Sequence, residues 1–119
     1  MLSTRKKINA IIAALEDVKA MDVMTIDTRK KSSLFEYIII ASATSTRQTR
    51  ALANNVSVEL KKLGAEILGV EGEDSGEWVL VDLGEVVVHI MQPAVRAYYN
   101  LEELWNVRSL PPKVAAKPE

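Results

Sequence analysis

The run Tyr37-Ile38-Ile39-Ile40-Ala41 limits the folds open to this chain more than any other stretch. It is apolar and rich in β-branched residues, and it does not alternate with polar ones. Such a run fits a central strand whose two faces are both covered. The flanking segments supply the cover. Ile8, Ile11, Ile12, Leu15 and Val18 recur at helical spacing and predict a helix over residues 5–20. Ser45-Thr46-Arg47-Gln48 fits a capping box, with Ser45 as N-cap and Gln48 at N3. Leu52, Val56, Leu60 and Leu63 then mark the buried stripe of a second helix, which Gly64 ends.

The remaining elements are shorter. Residues 22–28 and 66–70 read as strands, and residues 77–82 and 85–91 read as a hairpin around Leu83-Gly84. Pro93 suits the first turn of a short helix, and Leu101, Leu104 and Trp105 suggest a further helical turn. Helices alternate with strands and a hairpin closes the series. The expected fold class is α/β, a mixed sheet of about five strands with helices on each side. With 119 residues this is one domain, placed at 1–106, and the prolines at 111, 112 and 118 mark 107–119 as a flexible tail.

Several kinds of chemistry are excluded. The chain has no Cys, hence no disulfide, thiolate nucleophile, iron–sulfur cluster or Cys-based zinc site. His89 is the single His, so no two-His metal site forms within one chain, and no metal or cofactor is expected. A Ser75-His89-Asp82 triad can be written on paper, but Ser75 lies in Asp-Ser-Gly without the residues of a nucleophile elbow. Gly69-x-x-Gly72 lacks the ending and the following helix of a phosphate loop. No apolar run approaches membrane-spanning length, and the N-terminus has no signal-peptide core.

Charge is balanced in total but not along the chain. Residues 1–65 carry a net +5, residues 66–107 a net −8, and residues 108–119 a net +2. A total of −1 makes a poor bulk binder of nucleic acid, whereas the acidic block attracts a basic partner.

The hairpin carries the most functional information. A two-residue loop at Leu83-Gly84 pairs Asp82 with Glu85, Trp78 with His89 and Leu80 with Val87. One face then holds Val79, Val81, Val86, Val88 and Ile90 and reads as core. The other holds Trp78, Leu80, Asp82, Glu85, Val87, His89 and Met91, a mixed set with an acidic rim (Glu71, Glu73, Asp74, Glu77) next to it in sequence. Two readings stand open: a docking patch for a basic protein surface, or a face covered by a helix with Trp78 as core.

Several motifs together resemble the ribosomal silencing factor (Iojap) family. They are Lys30-Lys31-Ser32-Ser33 leading into Tyr37-Ile38-Ile39-Ile40-Ala41, then Thr44-Ser45-Thr46-Arg47, then the whole of residues 69–91 from Gly69-Val70-Glu71-Gly72 to Val88-His89-Ile90-Met91. Arg96, Tyr99, Leu101, Leu104 and Trp105 complete the pattern, which covers about residues 8–106 and leaves out the Pro-rich tail. Glu36 stands where members often carry Asp. The resemblance implies a nucleotidyltransferase-like fold without catalytic elements, in a cytoplasmic factor that is not an enzyme. It implies binding to the large ribosomal subunit through large-subunit protein fourteen, which blocks joining of the small subunit and represses translation when nutrients are short. Assembly assistance, or a degenerate nucleotidyltransferase-type enzyme with Asp82 and Glu85 holding Mg²⁺, is the alternative. A homodimer is possible, and neither a membrane nor sequence-specific nucleic acid is expected as partner. On this resemblance the partner-binding residues are Glu73, Asp74, Trp78, Leu80, Asp82, Val87, His89 and Met91.

Overall fold

In a computed structural model the chain is described over residues 2–104. Trp105 and the Pro-containing tail lie outside the described residues. The order of elements is α1 (Thr4–Asp17), β1 (Met21–Asp27), β2 (Tyr37–Ser42), α2 (Thr46–Lys62), β3 (Gly69–Glu71), β4 (Trp78–Asp82), β5 (Val86–Met91), α3 (Pro93–Tyr99) and α4 (Leu101–Leu104). The strands form one mixed sheet in the order β1-β2-β5-β4-β3, in agreement with the expected α/β class and five strands. Only β2 and β5 run parallel; the other pairs are antiparallel.

The Ile38-Ile39-Ile40 run is the second strand of the sheet and is buried on both sides. Ile39 and Ala41 join Val79, Val81, Val86, Val88 and Ile90 beneath α1 and α2. All five predicted core positions of the hairpin are fully buried there. Ile38 and Ile40 point the other way, into a smaller cluster with Ile26, Met91 and Leu101.

Capping sets the ends of the long helices. Ser45 Oγ accepts from the Gln48 N–H, as the motif predicts. The Gln48 side chain does not close the box on Ser45. Its Oε1 accepts from the Thr44 N–H, and its Nε2 donates to the carbonyls of Val18 and Lys19, holding the end of α1 against the start of α2. Gly64, at φ +92°, ends α2 with the paired bonds Ala65 N–H to Leu60 O and Gly64 N–H to Lys61 O.

Three details differ from the sequence reading. Leu63 is 53% exposed rather than part of the α2 stripe, because it is the C-cap and the chain reverses beside it. The strand expected at 66–70 is shifted to Gly69–Glu71. The hairpin register moves by two positions, so that Trp78 faces Met91, Leu80 faces His89 and Asp82 faces Val87. The reason is Leu83, which is 3% exposed and belongs to the core, so it cannot sit at the tip of a turn. Its N–H donates to Val86 O, leaving Gly84-Glu85 as the loop with Gly84 at φ +92°. A glycine at positive φ in the first loop position is what a type II′ turn requires. An even shift leaves each strand side chain on its expected face, but Glu85, expected on the mixed face, becomes a loop residue whose carboxylate turns to Lys7 and Thr4 of α1.

The loop before β4 is tightly built. Gly72 has φ +90°, and a Cβ there would lie 2.0 Å from the Trp78 carbonyl oxygen. Gly69 has open space around it. Gly72→Ala is expected to cost at least about 2 kcal/mol of stability through backbone strain and overlap. Gly69→Ala is expected to change stability by no more than about 0.5 kcal/mol. Urea denaturation of both variants beside the wild type checks the contrast.

Candidate functional site: an aromatic cleft on the second sheet face

The two faces of the sheet receive unequal cover. The 14-residue α1 and the 17-residue α2 lie on one side. On the other side stand α3, of 7 residues, and α4, of 4. The short helices are held at one end of the sheet by Arg96. Its guanidinium pairs with Glu102 at 3.0 Å and donates to the Asp22 carbonyl at 2.7 Å and to Ser42 Oγ at 2.8 Å. The Asp22 carbonyl lies in an irregular stretch of β1, between Met21 and Met24, where the register shifts. Arg96 therefore ties α3 and α4 to β1 and β2 in one contact set.

Beyond those helices the face remains partly open. An open cleft of about 680 Å³ is lined by Leu34, Phe35, Trp78, Leu80, Val87 and His89, with Glu71 and Asp82 at its acidic side. Trp78 and Leu80 are half-buried. Trp78 rests against the smaller core cluster, as the covered-face reading expects, and it also lines the cleft.

Four rings continue the surface. Trp78 Nε1–H donates to His89 Nδ1 at 3.0 Å. Tyr99 packs on Trp78 with centroids 4.9 Å apart, and Tyr98 meets Tyr99 edge-on at 5.0 Å. Tyr98 is 82% exposed and Leu34 is 83% exposed. Leu34 lines the cleft itself, and Tyr98 is linked to it through Tyr99 and Trp78.

The predicted residues separate into three groups. Trp78, Leu80, Asp82, Val87 and His89 line the cleft together. Met91 is fully buried under the short helices and supports the face without presenting itself. Glu73 and Asp74 are exposed, but their carbonyls accept from Arg50 of α2 at 2.7 and 2.8 Å, which anchors the acidic loop to the helical side. The carboxylates that line the cleft are Glu71 and Asp82. Leu34 and Phe35 were missed, although an apolar pair inside the polar stretch from Arg29 to Glu36 was a usable signal. Tyr98, on the exposed side of α3, left no such mark.

The candidate catalytic groups are held in structural contacts. His89 Nδ1 is occupied by the Trp78 N–H, and Asp82 Oδ1 accepts from the Gly84 N–H. Ser75 Oγ accepts from the Glu77 N–H in the loop. The three groups of the paper triad are each engaged elsewhere. Glu85, one of the two carboxylates considered for Mg²⁺, is paired with Lys7 Nζ at 2.9 Å and accepts from Thr4 Oγ1. Burial alone raises the Glu85 pKa, but the hydrogen bonds from Lys7, its own backbone and Thr4 outweigh it and hold the carboxyl below its usual range. Among the described residues no three His, Cys, Asp or Glu side chains gather as a metal site. No described helix is long and apolar enough to cross a membrane.

Burial pushes the His89 imidazole down from 6.5 to about 4. The neutral ring then carries its proton on Nε2 and accepts the Trp78 N–H at Nδ1. Between pH 4 and 6.5 the unfolded chain takes up a proton that the folded one refuses, so stability rises with pH across that window. The contribution is complete above pH 6.5 and lost as pH falls to 4, with a size of about 3 kcal/mol. In His89→Gln the stability deficit relative to wild type is expected to shrink as pH falls from 6.5 to 4, measured by denaturation at stepped pH. A pH-independent difference would contradict the buried neutral imidazole.

Sequence and structure comparisons agree on the lineage. Residues 2–118 match the family described as "Ribosomal silencing factor during starvation". That span takes in the Pro-containing tail, which the motif reading left outside the family pattern. The ribosomal silencing factor RsfS of Chromobacterium violaceum is 57% identical over 95 residues, covering 80% of this chain and 78% of that protein. A crystal structure of a protein from the same organism superposes with a TM-score of 0.87 at 48% identity, covering 98% of this chain and 91% of that one. The mouse protein named mitochondrial assembly of ribosomal large subunit protein 1 is 32% identical over 111 residues, covering 91% of this chain and 49% of its own length. The chain belongs to the ribosomal silencing factor family.

Proposed function

We propose that this protein is a non-enzymatic factor that docks on the large ribosomal subunit through large-subunit protein fourteen. Docking prevents the small subunit from joining and so represses translation when nutrients are short. The observation that carries the reading is the half-covered aromatic face, where Trp78 lines a cleft with Leu34, Glu71 and Asp82 and packs against Tyr99. Aromatic anchors in a partly desolvated setting are the usual centre of a protein interface, and flanking carboxylates suit a basic ribosomal protein. The cytoplasm, where subunits join, is the matching location.

The block needs no conformational switch. The thinnest extent of the molecule is 21 Å, enough to hold two subunit surfaces out of contact. A standard interface of about 800 Å² per partner fits one face of a domain this size. Assembly assistance uses the same docking and is favoured by the name of the mouse relative. The degenerate nucleotidyltransferase reading has less support, because Glu85 is committed to Lys7 and Thr4.

Sedimentation of the purified protein with separated subunits tests the proposal. Co-migration with large subunits and fewer joined ribosomes are expected for the wild type. Leu34→Glu alters a side chain that is 83% exposed, so the fold is expected to survive while binding weakens at least tenfold. Trp78→Ala is expected to weaken binding further and to lower stability, because part of its ring rests on the core cluster. Absence of wild-type co-migration at low salt would overturn the reading.

A further inference from the structure

Two segments rich in basic residues, 5–7 and 29–31, meet near the cleft. Leu34 and Phe35 line the aromatic cleft on one side and, on the other, a second hollow formed with Arg29, Ser32, Ser33, Glu36 and Glu85. Glu85 joins two basic segments at this point. Its carboxylate binds Lys7 and Thr4 at the start of α1, and its carbonyl accepts from the N–H groups of Glu36 and Tyr37. Arg29 lies over the Tyr37 ring at 5.3 Å and pairs with Asp27 at 2.6 Å.

Lys7 and Arg29 are thus neutralised by their partners. The exposed side chains of Arg5, Lys6, Lys30 and Lys31 have no hydrogen-bond or ion-pair partner among the described residues. In these two segments they stand against one remaining carboxylate, Glu36. Ser32 and Ser33 add hydroxyl groups beside them. Lysines on an open surface, with hydroxyls and without a closed pocket, suit phosphates spaced along a backbone better than one small anion.

We infer that this ridge, Arg5 and Lys6 of α1 with Lys30 and Lys31 of the β1–β2 loop, contacts the phosphate backbone of RNA while the neighbouring cleft holds protein. The inference rests on the docking reading in that the ribosome supplies RNA and protein side by side. Recognition is bipartite: aromatic and acidic toward the protein, basic toward the RNA, with Leu34-Phe35 between them. Contacts to phosphates carry no base sequence, so the contact is expected to be independent of it. A total charge of −1 keeps the protein from binding RNA in general, so the ridge acts only once the cleft is engaged.

The test measures affinity for large subunits across a KCl series, for wild type and for Lys30→Gln/Lys31→Gln. Both lysines are exposed, so the variant is expected to fold normally. Each lost phosphate contact lowers the slope of log K against log salt by roughly 1, so the double variant is expected to lose about 2. Lys61→Gln/Lys62→Gln, at the end of α2, is expected to keep the full slope. Binding to isolated large-subunit protein fourteen is expected to be equal for wild type and the Lys30/Lys31 variant. An unchanged slope on large subunits overturns the phosphate contact and leaves the docking reading intact. An equal loss on the isolated protein assigns the lysines to an acidic protein surface and also overturns it. A wild type that binds no large subunit overturns the docking reading and this inference together.

Discussion

The parallel pairing of β2 with β5 organises the whole molecule. It brings Tyr37–Ser42 against Val86–Met91, segments far apart in the chain, and makes them the interior of the sheet. Parallel strands need a long connection over a sheet face; residues 43–85 make it, and α2 is the part that lies over the face. A helix of 17 residues is about 25 Å long, enough to cross five strands spaced at about 4.8 Å. The opposite face receives α3, whose 7 residues reach only about 10 Å. The cleft is the part of an apolar face that the short helices do not reach.

What remains uncovered is held firmly. The Trp78 indole is fixed by a hydrogen bond to the His89 imidazole and by packing against the Tyr99 ring. Gly72 lets the incoming loop lie against the Trp78 carbonyl, and Thr49 Oγ1 donates to the Gly76 carbonyl at 2.6 Å. An anchor whose rotamer is already set loses less entropy on binding than a free one. The same contacts explain why one buried, neutral histidine belongs on this face. It satisfies an indole N–H that the apolar surroundings would otherwise leave unpaired.

The sequence carried the strands, the helix caps and the division of the hairpin into two faces, because each depends on local spacing and on which residues avoid water. The Ile38-Ile39-Ile40 run and the Ser45 cap are examples. The hairpin register was not legible, since it turned on whether Leu83 is tip or core, and only the packing under α1 and α2 decides that. The composition of this face was half legible. Trp78, Leu80 and His89 follow from alternation along β4 and β5, whereas Leu34, which lines the cleft, and Tyr98 and Tyr99, which extend the aromatic surface, come from a loop and a helix that tertiary structure brings over. The acidic rim shows the same limit: Glu73 and Asp74 are neighbours in sequence, but Arg50 draws their loop toward α2.

The central claim is that the half-covered face, and not the helical face, meets the ribosome. Hydroxyl-radical footprinting of the protein with and without large subunits tests it directly, because it reports solvent access side chain by side chain. Protection of Leu34, Trp78, Tyr98 and Tyr99, with Val58 and Leu63 of α2 labelled as in the free protein, is the predicted result. Protection of Val58 and Leu63 with the aromatic residues still open to labelling would contradict it.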